Sequence, residues 1–501
     1  MPAKDYAATR YSALSQITAR NAAQLRPVWT FSTGVLGGHE GQPLVVGSTM
    51  YVVTPFPNVL YAFDLTREGF PLRWKYRPAV NPSAVGIACC DAINRGAVYA
   101  DGKIIYNLLD GHTVAVDANT GRELWKTQIA DINQGETTPM APFVAGNRVI
   151  VGPSGGEFGI YGWVKGLDLA TGKILWTAHN MGPDSLMLAR PGRGRYVADP
   201  DIGVTTWSGD SWRRGGAPVW GWISYDPQLD LIYFGTGNPG PYNTEQRPGE
   251  NKWTNSVLGR RPRDGSLVWA YQFTPHDSWD YDSNAEMILA DLVVGGRLRK
   301  VLVHFDKNGF AYTLDRVTGE LLVAEPFAHV TWAKRIDRAS GLPVLDSSKT
   351  TGVSRGNVTG ICPSLEGGKS PASPASFSPH TGYFYTAANN LGQSTATGIF
   401  NQNVDALQDV IDDSAKELDG LRPPGLKAQE ANDRLIHAYR DLSDEFDKVK
   451  DARRESFPRA VAALKAVQRS EPAQESIRAA AQLRKLGFKV PVSATIGGSL
   501  S

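Results

Sequence analysis

The sequence predicts an all-β propeller followed by an α-helical C-terminal region, and three observations lead there. Phrases built as apolar strand, turn, apolar strand, then D-x-x-T-G-x-x-x-W recur along the first part of the chain. All 13 tryptophans fall between Trp29 and Trp332. From Gln393 onward tryptophan is absent, charge is dense, and apolar residues return at helical spacing.

The repeat is read first, because a fixed period decides the architecture. Its copies are VDANTGRELW (116–125), LDLATGKILW (167–176), RPRDGSLVW (261–269) and LDRVTGELLV (314–323), with a looser FDLTREGFPLRW at 63–74. Each joins a glycine-containing hairpin turn to a strand ending in an aromatic or apolar residue. Alternating strands such as VIVGPSG, LIYFGTG and KVLVHFD precede them. Units of roughly 40–50 residues with several short strands are propeller blades, and the recurring Trp is expected to wedge one blade against the next.

The expected boundary lies at 392, giving a propeller over 1–392 and a helical region over 393–501. In the latter, Val404, Leu407, Val410, Ile411 and Leu418, then Leu435, Ile436, Tyr439, Leu442, Phe446 and Val449, fall on helical faces. Pro423, Pro424, Pro458 and Pro472 divide it into about three or four helices, expected as a bundle or coiled-coil hairpin. Its acidic runs read as solvated faces.

The net charge of +2 gives no electrostatic case for nucleic acid or a membrane surface. No apolar run reaches about 18 residues, so no membrane span is expected. The opening MPAKDYAATRYS has no apolar core of a secretory signal. Three cysteines exclude a disulfide scaffold, and no CxxC or CxxCH occurs, which excludes a zinc ribbon and an attached c-type haem.

Two of those cysteines, Cys89 and Cys90, are neighbours in GIACCDAINRG. Adjacent Cα atoms lie about 3.8 Å apart, below the usual disulfide span. The pair is either two buried thiols or a strained ring that stiffens a wall. Four segments hold polar residues that packing does not require. These are GHEG with Glu40, CCDAINRG with Arg95, SGGE (Ser154, Gly155, Gly156, Glu157), and a spread set of Trp220, Asn238, Asp280 and Asp282. Glu157, Asn238, Asp280 and Asp282 form an all-oxygen set suited to a hard cation. On an extended segment Asp280 and Asp282 would face the same way. Each segment also has a plain reading: GTGNPGP as a turn, WDYD as a hydrated loop, SGGE as a tight bend.

With these residues in view, the chain resembles the PQQ-dependent methanol/ethanol dehydrogenases, eight-bladed periplasmic quinoproteins, over about residues 4–391. The resemblance rests on GHEGQPLVVGSTMYVVTPFPN, CCDAINRG, SGGEFG, GGAPVWGWISYDP, GTGNPGPYNTEQRPGENKW, TPHDSWDYDSNAEM and ICPSLEGGKSPASP. It implies a Cys89–Cys90 disulfide on one face of the quinone and Trp220 on the other. Glu40, Arg95, Ser154, Gly155, Gly156 and Asn389 would meet the cofactor's polar edge, and Lys307 would stand near its reactive oxygens. Glu157, Asn238, Asp280 and Asp282 would hold the metal, with Asp280 the catalytic base. The Asp-Tyr-Asp pattern resembles the lanthanide-dependent branch, with calcium the alternative. The reaction implied is oxidation of a small primary alcohol to the aldehyde, with cytochrome c as electron acceptor and a periplasmic location. The oligomeric state is left open, a homodimer included.

Two departures accompany the resemblance. Where the family commonly has a cofactor-contacting Thr, this chain has Pro139, and the neighbouring Thr138 is the candidate substitute. Beyond Leu391 the family continues with a Cys and roughly two further blades, whereas here Gly392 and the helical region follow. The propeller is therefore expected to lack its C-terminal blades, with impaired activity and with Cys362 deprived of a partner at Gly392. The alternative reading is a non-catalytic propeller scaffold, or an inactive remnant fused to a helical interaction module.

Overall fold

The repeats fold as the sequence predicts, into a succession of antiparallel meanders. In this computed structural model residues 3–88, 91–190, 199–352, 355, 358–393, 408, 411–416, 418–420, 425–455, 459, 463, 466–467 and 470–486 are described. The chain divides into two compact units, one of 1–352 and 360–393, the other of 353–359 and 394–501.

Among the described residues the first unit has five four-stranded sheets, each with its strands in sequence order. Sheet 1 runs from Leu44–Val46 to Leu72–Tyr76, sheet 2 from Ala97–Ala100 to Glu123–Gln128, and sheet 3 from Phe143–Ala145 to Ile174–His179. Sheet 4 runs from Ile223–Asp226 to Leu267–Gln272 and sheet 5 from Ile288–Val294 to Leu321–Pro326. Two hairpins follow, Ala333–Ile336 with Pro343–Leu345 and Ser376–Ser378 with Tyr383–Tyr385. The buried cores are sandwiched between neighbours. Leu60, Ile104, Tyr106 and Val116 join sheets 1 and 2; Ile105, Val149 and Leu167 join sheets 2 and 3; Ile150, Val164, Ile232 and Leu258 join sheets 3 and 4.

The repeated motif makes the seams. Its Asp anchors the turn, as where Asp168 Oδ1 accepts from Thr171 N at 2.9 Å and Thr171 Oγ1 at 2.8 Å. Its Trp lies against the turn glycine of the next sheet. A Cβ on Gly121, Gly172, Gly265 or Gly319 would fall 2.5–2.7 Å from Trp74, Trp125, Trp176 or Trp269 respectively. The same indoles donate Nε1–H to a carbonyl of that next turn: Ala118 (3.2 Å), Leu169 (3.3 Å), Pro262 (3.0 Å) and Arg316 (3.1 Å). A register shift just before each Trp recurs in the pairing of the last two strands, bending the strand so the indole reaches across. Sheet 5 has the shift but carries Val323 at the Trp position.

Cys362 is a free thiol, and a Cβ at Gly392 would lie 3.1 Å from its sulfur. This position is where the resemblance expects a partner cysteine.

The second unit is helical. Leu426–Glu455 and Glu471–Lys485 are its long helices, and Ile411, Leu418, Leu435, Tyr439, Leu442, Phe446, Val449, Ala480 and Leu483 form its core. Pro472 sits in the first turn of the last helix, where its missing N–H costs nothing. The predicted helical positions Val404, Leu407 and Val410, and Pro423, Pro424 and Pro458, lie outside the described residues. Among the described residues no helix is long and apolar enough to cross a membrane.

Candidate active site

Topology gathers the polar segments. In a meander the loop before the first strand and the loop after the second open at the same end of the sheet. Glu40, Arg95, Thr137, Trp220, Asp280 and Asp282 precede first strands; Ser154, Glu157, Asn238 and Lys307 follow second strands. One end of the sheets therefore holds them all. A cavity of about 290 Å³ opens there, lined among others by Glu40, Arg95, Ser154, Glu157, Trp220, Asp280, Asp282 and Lys307.

One side is basic and aromatic. The Arg95 guanidinium lies over the Trp220 ring, 4.8 Å from its centroid, and pairs with Glu40 at 3.2 Å. The opposite side is acidic around one lysine. Lys307 Nζ reaches Asp280 Oδ2 at 3.1 Å and Asp282 Oδ2 at 3.0 Å. Asp282 Oδ1 accepts the Asn238 backbone N–H at 2.9 Å. Lys307 is held from behind by Gly367, where a Cβ would fall 2.2 Å from its Cγ.

Two oxygens in this cluster are buried with no hydrogen-bond partner: Asn238 Oδ1 and Asp280 Oδ1. Gly156 makes room for the first, since a Cβ there would stand 2.4 Å from Asn238 Oδ1. Buried polar atoms are ordinarily satisfied, so two orphans beside this carboxylate cluster fit a hard cation, with Asn238 set behind the residues that line the cavity. Among the described residues no three His, Cys, Asp or Glu side chains already converge as a metal group; the Lys307 ammonium sits between the two aspartates instead.

Burial and the neighbouring Asp282, Asp277 and Glu157 carboxylates push Asp280 well above the usual carboxylate range, against the pull of Lys307. Desolvation and the Asp282 carboxylate raise Glu157 as well. Burial alone would lower Lys307, but Asp280 and Asp282 outweigh it and raise it.

The Asp280–Asp282 segment is not extended, as its spacing had implied. Asp280 has φ +69°, a left-handed conformation, and both carboxylates still meet at Lys307. Buried Asp277 imposes the bend: its Oδ1 accepts from Trp279 N (2.9 Å) and its Oδ2 from Tyr281 N (3.0 Å) and Asn255 Nδ2 (3.0 Å). The strands of sheet 4 leave the segment no slack. A Cβ at Gly221 would stand 1.8 Å from Asn284 O, at Gly235 1.6 Å from Ser283 O, and at Gly237 2.4 Å from Asp282 Oδ1.

Not every expected residue arrives. Thr138 is buried and donates its hydroxyl to Leu108 O at 2.6 Å; Thr137 and Pro139 line the cavity in its stead. Asn389 is not among the lining residues, and its N–H bonds Gly368 O at 2.8 Å. Gly155 packs behind the site against Gly135 O. Cys89 and Cys90 lie outside the described residues, although Ala88 and Asp91 on either side line the cavity. Leu365, Glu366, Ser370, Pro371 and Ala372 also line it and were not singled out from the sequence.

Residues 1–325 match the family described as PQQ: glucose/ethanol/alcohol dehydrogenase, beta-propeller domain. The chain belongs to this family. The similarity to individual PQQ-family proteins is high. It is 51% identical over 397 residues to a lanthanide-dependent methanol dehydrogenase of Methylacidiphilum fumariolicum, covering 78% of this chain and 64% of that protein. To methanol dehydrogenase [cytochrome c] subunit 1 of Paracoccus denitrificans it is 44% identical, covering 73% of this chain and 60% of that one. A solved europium-containing methanol dehydrogenase superposes with a TM-score of 0.76 at 51% identity, covering 78% and 68%. The chain thus spans somewhat under two thirds of the length of these curated PQQ-family relatives.

Proposed function

We propose that the chain oxidises a small primary alcohol to the aldehyde, with PQQ as the resident cofactor, lanthanide(III) as the favoured metal and calcium as the alternative. Cytochrome c, which stands in the name of one relative, is the proposed electron acceptor, and the periplasm is the proposed location. The observation that supports this most is the cluster itself: two orphaned buried oxygens, Asn238 Oδ1 and Asp280 Oδ1, beside three carboxylates and one lysine.

When bound, PQQ supplies the two-electron acceptor and the metal a Lewis acid beside it. Glu157, Asn238, Asp280 and Asp282 would hold the metal, an all-oxygen set with three anionic members. Asp282 is the residue that favours a trivalent ion, since it adds one more anionic oxygen to the set. Trp220 offers a flat aromatic face for a planar cofactor, and Arg95, fixed by Glu40, a guanidinium for its carboxylates. Lys307 holds Asp280 through Oδ2. Asp280 is the residue that would take the alcohol proton. Ser154, which lines the cavity, would meet the cofactor's edge. Cys89 and Cys90 are proposed as the wall facing Trp220.

The test mixes purified chain with PQQ and either lanthanum or calcium, then assays methanol and ethanol with an artificial electron acceptor. Turnover with lanthanum, lost in Asp282→Ala, is the expected result. Absence of saturable PQQ binding, read as quenching of tryptophan fluorescence, would sink the proposal.

A further inference from the structure

Sheet 3 carries a second and larger concavity, about 920 Å³, that the alcohol reading does not use. Its wall is aromatic and fixed in place. Tyr161 and His179 stack face to face, centroids 3.7 Å apart and planes within 8°, and the Tyr161 hydroxyl is tied to Met181 O at 2.9 Å. Trp163 continues the wall, with its indole N–H on Glu136 Oε1 at 2.7 Å and Lys165 Nζ over its ring at 3.9 Å. Phe158, 48% exposed, stands at the edge.

The charge in this groove is one-sided. Lys165, Arg213 and Arg214 line it against a single carboxylate, Glu136. That carboxylate is already spent on Trp163 and on the Asp131 N–H at 2.9 Å. Both arginines are exposed, and Arg213 lies 4.3 Å over the Trp212 ring, which steadies its guanidinium. His179 Nδ1 is buried without a hydrogen-bond partner, and burial lowers the pKa of the ring, so the wall stays an uncharged aromatic surface. A fixed aromatic wall of Tyr161 and His179 with two exposed arginines in the same groove matches a flat ligand with acidic substituents: the rings stack, and the forks bind the acids bidentately. A neutral aromatic would leave the guanidiniums unused, and a bare inorganic anion would leave the wall unused.

We infer that this groove is a binding site for a planar aromatic ligand carrying at least two acidic groups. The inference is independent of the alcohol reading. The test titrates naphthalene-1,5-disulfonate into the full chain, without PQQ or metal, by isothermal calorimetry. Saturable one-to-one binding is expected, with sulfate and 2-naphthol each at least about tenfold weaker. The exposed double variant Arg213→Gln/Arg214→Gln should weaken the disulfonate about tenfold or more. Thr177→Glu, which adds a carboxylate to the lining, should do so independently. Unchanged affinity in both variants, equal binding of 2-naphthol, or no saturable heat at millimolar probe would overturn it.

Discussion

Between neighbouring sheets the molecule repeats one contact four times, an indole laid on a glycine turn with its N–H satisfied by that turn. At the cavity nothing repeats. Glu157, Asp280 and Asp282 meet Lys307 at a cavity of about 290 Å³, with Asp280 in a left-handed conformation and its Oδ1 unsatisfied. The seams are neutral and satisfied, and their job is to define the fold. The cavity breaks the rules of good packing that the seams obey, which is where chemistry is expected to be. Damage at a seam should therefore be read in stability, and damage at the cavity in turnover.

The largest effect tests the cavity side. Asp280→Asn should cut alcohol turnover by about a hundredfold to ten-thousandfold, while the urea midpoint holds or rises because a buried acid among like charges has been removed. A midpoint that falls together with activity would make Asp280 a structural residue and erase the contrast. On the seam side, Gly172→Ala puts a Cβ 2.5 Å from Trp125 at φ +72°. Left-handed strain plus overpacking should cost about 3 kcal/mol in urea unfolding; a loss under about 1 kcal/mol would mean the seams are loose.

The smallest effect concerns the motif aspartates. Thr66 and Arg73 hold Asp64 down to about 2, and the turn threonines hold Asp117 and Asp168 below their usual value. A carboxylate depressed in the folded state contributes stability above its unfolded value near 3.9, and that contribution disappears as pH falls through the folded value. The Thr66 amide resonance should accordingly titrate near pH 2. A midpoint near 3.9 would show that the turn is not anchored by its aspartate.

This division also explains what could be read from sequence. The D-x-x-T-G-x-x-x-W motif spells out a seam locally: Asp and Thr make the turn, Gly makes the space, Trp fills the next one. Much of the cavity was legible too, because Glu157, Asn238, Asp280 and Asp282 are polar residues in segments that packing does not explain. Asp277 was visible in HDSWDYD as a third acid, but its task of folding the loop back on itself emerges only from its three hydrogen bonds. Gly367 and Thr137 gave no local signal. The first matters because Lys307 lies against it, the second because its neighbour Thr138 turns inward to Leu108 O. Both are facts of tertiary contact.

The three glycines beneath the acidic segment bear on how such a protein can change. With Gly221, Gly235 and Gly237 flush against Ser283, Asn284 and Asp282, no side chain can be introduced on that side without displacing the carboxylates. The half that carries Asp280 and Asp282 is cast in one mould. Leu365, Pro371 and Ala372 line the same cavity and meet none of these glycines. On the proposed function, change in the accepted alcohol would accumulate on Leu365, Pro371 and Ala372 while the carboxylate side stays fixed.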